Sequence, residues 1–454
     1  MEENRLGTEK ISKLIPKFAV PAAISMLVGS FYNIADQIFI GQGVGMLGNA
    51  ATNIAFPITT ISMAFALLFG IGGASSFNLL SGAGETEKAV KTAGTALFLL
   101  GICGVIIGAA TLIFLNPLLL LFGVTDEILP FARDYMGITA IGIPFLVITA
   151  GGNHLIRADR SPTYSMVSML SGAILNTILD PIFIFAFGWG IKGAAWATVI
   201  SQAVSFGFVL IYFIRLKKMP LRLKYLRPSF PIVKNVAALG SASSVNQVAM
   251  AAVQIVMNNT LKYYGAASVY GSEIPIAAVG VIAKVNMVFL AFSIGLSQGC
   301  QPIWGYNRGA KKYSRVIETY NKAAVTTLII GAAFFAAFQI FPRQIVSIFG
   351  GGSDEYFVFA ERYLRIFMAF TLLNGLQPMS SGFFTSIGKA KLGMLMSLTR
   401  QVVFLIPLVL LLPLAWGIDG VMFAGPVADC AAVALAVFFA HREIVKMKKE
   451  AERL

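Results

Sequence analysis

Residues 71–84 read IGGASSFNLLSGAG, and residues 294–310 read IGLSQGCQPIWGYNRGA. Gly72 and Gly82 of the first stretch fall on Gly295 and Gly305 of the second at one offset, 223 residues. The correspondence continues outward in the same order. FGVTDEILPFARDY (122–135) is echoed by FGGGSDEYFVFAERY (349–363), and WGIKG (189–193) by WGIDG (416–420), at offsets of 228 and 227. Half of the 454-residue chain is 227, so the sequence reads as one unit written twice.

Each unit is a run of membrane-spanning segments. Hydrophobic residues make up 57% of the chain and charged residues 12%, against about 25% charged in a soluble domain. A water-soluble enzyme, a disordered chain and a coiled coil are excluded. Apolar runs long enough to cross a bilayer, about 20 residues each, cover 14–40, 51–80, 92–115, 129–156, 163–187, 193–216, 232–263, 275–303, 318–341, 356–387, 392–414 and 419–441. They do not alternate as barrel strands do. The expected fold is all-α: twelve transmembrane helices in two six-helix bundles. Six is even, so both bundles start on one side of the membrane, and a pseudo-two-fold axis along the membrane normal relates them. The bundles are expected at 1–216 and 232–454, joined by a basic linker at 217–231.

The formal charge of +14, from 35 Lys+Arg and 21 Asp+Glu, would suit nucleic acid on a polar surface. Here 26 of the 35 cations fall in the termini and the loops on the same side, Arg157 and Arg160 among them, and three on the other. That asymmetry predicts both termini in the cytoplasm and a lipid bilayer as partner, with no role for nucleic acid. The three cysteines lie singly in apolar runs, without metal-ligand spacing. Two histidines, His154 and His441, cannot build a His-rich centre, and no nucleophile–base set occurs. GFFTSIGKA (382–390) departs from the phosphate-loop pattern in spacing and last residue. The expectation is a carrier rather than an enzyme, with no cofactor.

Charge inside a membrane is costly, about 2.5–3.5 kcal/mol per residue on insertion scales, so each deep charge asks for a reason. The first half holds two, Asp36 in FYNIADQIFIG and Asp180 in LNTILDPIFIF. Asn176 lies one turn before Asp180 on the same helical face; Asn153 and Thr198 are polar positions in the fourth and sixth spans. Two carboxylates with amide and hydroxyl oxygens suit Na+ or a proton, and acids in contact can share one. The alternative is that each acid makes a structural hydrogen bond. The second half repeats neither acid. Its deep charges are Lys284, Arg400 and Asp429, readable as a buried ion pair or as a substrate-facing patch. Pro21, inside the first span, can kink or hinge that helix.

The segments YNIADQIFIGQGVG, SGAGETEKA with its partner WGYNRGAKKYSRV, NTILDPIF and GIKGAAWATVISQ resemble the multidrug and toxic compound extrusion (MATE) family over roughly residues 14–440. The acids at Asp36 and Asp180 resemble its DinF-like branch. The NorM-like branch carries acids in its seventh and tenth helices, where this chain offers Gln247, Gln254 and Asn258, and Glu361 only near a helix end. The resemblance implies a cation site, for Na+ or H+, at Asp36, Asn176, Asp180 and Thr198. It implies a substrate cavity near Tyr32, Tyr135 and Asn153, and bending at Pro21. It also implies a monomeric multi-pass protein of a prokaryotic cytoplasmic (inner) membrane that exports drugs or organic cations by antiport. The alternative reading is a lipid-linked precursor flippase, kept open by Lys284 and Arg400; a receptor or scaffold without flux is the reading of a different class.

Overall fold

The computed structural model describes residues 5–122, 124, 126–216, 223–271, 273–349 and 353–452. These residues are almost entirely helical, with no strand among them. Eleven uninterrupted helices are long and apolar enough to span a membrane: α1 (Ile11–Gly43), α2 (Leu47–Gly82), α3 (Thr86–Ile113), α4 (Leu129–Ala158), α5 (Pro162–Ala186), α6 (Gly190–Arg215), α7 (Phe230–Ala266), α8 (Ile274–Gly309), α9 (Tyr313–Ile340), α11 (Ala390–Trp416) and α12 (Ile418–Ala451). The remaining span, α10, is the one that differs from the expected single helix. It is built of three pieces, Asp354–Phe367, Thr371–Asn374 and Leu376–Ser386. Pro378 lacks the N–H that would bond the carbonyl of Asn374, where the middle piece ends. The Thr371 hydroxyl donates to the freed carbonyl of Met368 at 2.6 Å, and Gln377 donates to the carbonyl of Met396 on α11. Broken backbone at membrane depth is tolerated where such groups re-satisfy it. The fold is thus twelve transmembrane helices in two six-helix bundles, with large apolar side chains such as Ile106, Ile113, Ile255 and Leu411 on the outside.

The duplication is visible in the backbone. Gly190 and Gly417, the same position of WGIKG and WGIDG, have φ of 55° and 56°. Both start the last helix of their bundle from a left-handed residue, which glycine adopts without a Cβ clash. Residues 217–222, the first part of the expected linker, lie outside the described residues.

Both termini lie at one end. The carbonyl of Leu6 accepts hydrogen bonds from Asn307 Nδ2 (2.9 Å) and Arg315 Nη2 (3.1 Å), while Arg308 pairs with Glu450 near the end of α12 at 2.9 Å. The bundles meet at this end. A Cβ on Gly72 of α2 would lie 2.0 Å from the carbonyl oxygen of Val236 on α7. A Cβ on Gly295 of α8 would lie 2.4 Å from Cα of Ala23 on α1. Gly82 and Gly305 are in the same seam, against Tyr306 and Asn78. The four glycines aligned by the repeat therefore all line the inter-bundle contact, two per bundle. Small residues let membrane helices approach this closely. Among the described residues, the side-chain hydrogen bonds that cross between bundles also lie at this end, Asn235 to Ser76 (3.0 Å) and Arg157 to Gln298 (3.1 Å) with those to Leu6, Gly7 and Glu9. Further along, Gly29 of α1 and Gly280 of α8 face open space. The seam closes the termini end and leaves the other end open.

Candidate functional site: an acid pair inside the first bundle

Helical spacing assembles the site. On α1, Tyr32 and Asp36 are one turn apart; on α5, Asn176 and Asp180 are one turn apart. α4 contributes Tyr135 and α6 contributes Thr198. The structure brings these six together. Asn176 Nδ2 donates to Asp180 Oδ1 at 3.3 Å, and Asp36 and Asp180 are within hydrogen-bonding reach of each other. The phenols of Tyr32 and Tyr135 stand beside the acids, and Tyr135 reaches Thr198. Asp180 and Asn176 are buried.

The chemistry of the site is set by what is left over. Asp36 Oδ1, Asp180 Oδ2 and Asn176 Oδ1 are buried without a hydrogen-bond partner. A buried polar atom normally has one, and an unpaired one costs about 1–3 kcal/mol. All three are oxygens that can only accept, and two carry charge. A proton or a small hard cation between the carboxylates satisfies them; sodium favours such oxygen donors, whereas a soft metal would ask for sulfur or imidazole. No cluster of three or more His, Cys, Asp or Glu residues suited to a metal occurs among the described residues, so a divalent site has too few charged ligands.

Two residues of the expected set lie elsewhere. Asn153 is five turns from Tyr135 on α4, about 27 Å at 1.5 Å per residue. Its Nδ2 donates to the carbonyl of Thr149 at 2.9 Å, and its Oδ1 is buried and unpaired. Pro21 is about 22 Å along α1 from Asp36. It sits inside a helix that continues through it, between the seam residues Ala19 and Ala23.

In the second bundle, Arg400 Nε and Asp429 Oδ1 form a buried ion pair at 2.5 Å. Of the two readings left open for these residues, the structure has the pair, and Arg400 is neither at a helix end nor reaching for the interface. Lys284 stands apart on α8, half-buried. Glu361 pairs with Arg343 at 3.7 Å near the open end, and Gln254 donates to Asn258 at 3.0 Å. Arg157, counted above as a loop cation, is instead in the last turn of α4 and 97% buried. Its neighbours in RADR disguise it; the signal that marks it is His154 three residues earlier on the same face.

Fold and site together define a multi-pass membrane carrier made of a duplicated six-helix unit. The family model MatE matches residues 21–182 and again 244–411, once in each bundle, and the chain belongs to the MATE family of membrane transporters. Among solved structures, that of the MATE multidrug transporter DinF-BH in complex with rhodamine 6G is 35% identical, covers 97% of this chain and 98% of its own, and superposes with a TM-score of 0.89. An outward-facing MATE transporter of the MOP superfamily is 24% identical, covers 99% of both chains, and has a TM-score of 0.92. The multidrug export protein MepA of Staphylococcus haemolyticus (strain JCSC1435) is 27% identical over 95% of this chain and 93% of its own.

Proposed function

We propose that this chain is a secondary active antiporter that exports organic cations or amphiphilic drugs in exchange for Na+ or H+. The observation that carries the reading is the buried pair Asp36–Asp180, with three accepting oxygens unpartnered. In this reading the termini lie in the cytoplasm of a prokaryotic cell, as the 26 basic residues on that side favour. The cleft then opens outward. A proton or Na+ entering from outside is taken up by Asp36 and Asp180, with Asn176 and Thr198 supplying neutral oxygens. Uptake removes the negative charge that Tyr32 and Tyr135 face, and with it the attraction for a cationic drug in the first bundle. The drug leaves, and residues 1–216 and 232–454 swing as two bodies around the seam. Linkage requires the reverse as well: a bound drug weakens the ion by the same factor. Each chain is complete as a carrier, so a monomer suffices.

The test is efflux of the dye rhodamine 6G from proteoliposomes under separately imposed Na+ and H+ gradients. One gradient should drive efflux, and Asp36→Asn should abolish the driven component while the protein still elutes as a folded monomer. Unchanged driven efflux in that variant would sink the proposal. The flippase reading loses its main support, because Asp429 neutralises Arg400 and leaves Lys284, among the described residues, as the one deep cation without a counter-charge in the second bundle.

A further inference from the structure

We infer that a small cavity in the seam, at the end of α4 away from the acid pair, is a binding site for a small monovalent anion. The cavity holds about 10 Å³ of free space, room for one water-sized ligand. It is lined by Ser75 and Asn78 of α2, His154 and Arg157 of α4, and Gln298 and Gln301 of α8, so both bundles contribute walls.

The argument starts from Arg157. Its guanidinium is 97% buried and cannot lose its proton. Its acceptors are Ser165 Oγ at 3.0 Å, His154 Nδ1 at 2.9 Å and Gln298 Oε1 at 3.1 Å. All three are neutral. Among the described residues no carboxylate touches it. The nearest acid in sequence, Asp159, accepts from the Tyr212 hydroxyl at 2.7 Å. A buried charge kept without a counter-charge is the costliest arrangement a membrane protein retains, and such charges are usually paired. The pair is missing a partner rather than a hydrogen bond.

The remaining groups point to the same class of ligand. Because His154 Nδ1 accepts from the guanidinium, the neutral ring carries its hydrogen on Nε2. Gln298 has its oxygen engaged, which leaves its amide hydrogens free. The Ser75 hydroxyl is 98% buried and has no partner. The uncommitted groups are donors around one fixed positive charge. A cation is repelled there. A water molecule meets the donors but leaves the charge. A halide meets both.

The site exists only while the seam is shut, because the Arg157–Gln298 bond crosses from one bundle to the other. A ligand that binds one state and not the other shifts the equilibrium toward the first. Anion occupancy therefore favours the form closed at the termini end. It is independent of the acid pair, from which Arg157 is separated by most of the length of α4.

The test uses the full chain in nanodiscs. Thermal unfolding is compared in sodium chloride, sodium bromide and sodium gluconate at equal ionic strength, gluconate being too large for the cavity. The halides should raise the unfolding temperature by a few degrees, and R157Q should remove the difference. Crystals grown in bromide should show an anomalous peak between Ser75 and Arg157. Where R157Q fails to accumulate, S75V fills the space with an apolar group and keeps the guanidinium; it must abolish the halide response. Equal unfolding temperatures in all three salts, a halide response intact in S75V, or an ordered water in place of bromide each overturn the assignment.

Discussion

The seam glycines give a graded prediction. A Cβ on Gly72 would meet the carbonyl oxygen of Val236 at 2.0 Å, and ordinary contact begins at 3.4 Å. The two backbones must part by about 1.4 Å to admit Gly72→Ala. The repeat-related Gly295→Ala, at 2.4 Å from Cα of Ala23, needs about 1.0 Å. Neither neighbour is a flexible side chain, so the strain falls on the helix pair. Overpacking of this kind costs about 1–3 kcal/mol, and only the state with the seam shut bears it. The ratio of shut to open forms should therefore fall by about 5- to 150-fold, more for G72A than for G295A. Spin labels at Lys88 on α3 and Lys391 on α11, both exposed at the termini end, report this as a longer distance by pulsed EPR. Gly280→Ala is the control, since nothing lies within 4 Å of its Cβ position; it should leave the distances unchanged. If G72A keeps the same short-distance population as the parent, the glycines do not hold the seam and the reasoning fails.

Three further outcomes follow from the same structure. At 2.5 Å the Arg400–Asp429 attraction is about 6.6 kcal/mol at an effective dielectric of 20, most of it offset by desolvation; breaking the pair with Asp429→Asn should cost about 3–5 kcal/mol, whereas R400M with D429L should be near neutral and should transport normally, as paired measurements of thermal stability and efflux will show. Asp180→Asn, with the same volume and no charge, should eliminate the cation dependence of drug binding measured by fluorescence anisotropy, and a retained dependence would assign the coupling to Asp36 alone. Arg315→Gln removes charge-assisted hydrogen bonds to the carbonyls of Leu6 and Glu9, worth about 1.5–3 kcal/mol each; faster proteolysis of the N-terminal segment, with the rest of the chain resistant, is the expected result.

The membrane fold was legible because its signal is long and redundant. Twelve runs of apolar residues and one repeat offset leave few alternatives, and the same four glycines that reveal the repeat turn out to be the residues that seal it. The break in α10 was not legible. The run 356–387 is apolar throughout, and Pro378 could equally have kinked a continuous helix; what decides is that Thr371 and Gln377 find carbonyls to bond, which only the packed neighbours disclose. Asp36 and Asp180 stood out because charge is rare in the spans. Tyr135 and Thr198 carried no such signal in the residues alone and entered through the family resemblance. Arg157 was misplaced for the opposite reason: RADR reads as a loop by charge, although its first arginine completes α4.

The repeat is symmetric in its seam and asymmetric in its chemistry, and that contrast bears on how ion binding could reach the seam. The second bundle has an apolar stretch where Asp180 would fall and locks its deep charges in the Arg400–Asp429 pair, so it offers no matching site to drive. The first bundle must act on the contact alone. One element joins the two: α1 carries Asp36 toward the open end and presses Ala19 and Ala23 on Gly299 and Gly295 at the shut end. Pro21 lies between those two alanines and frees the carbonyl of Lys17 from its helical bond. Under the proposed coupling, a charge neutralised at Asp36 relaxes a helix whose weakest turn is the one packed in the seam. A rigid α1 would transmit the same change as a tilt of the whole bundle. A soft turn at Pro21 lets the segment above it move while the packed turn below still holds, so the ion can load before the seam opens, which is the order that antiport requires.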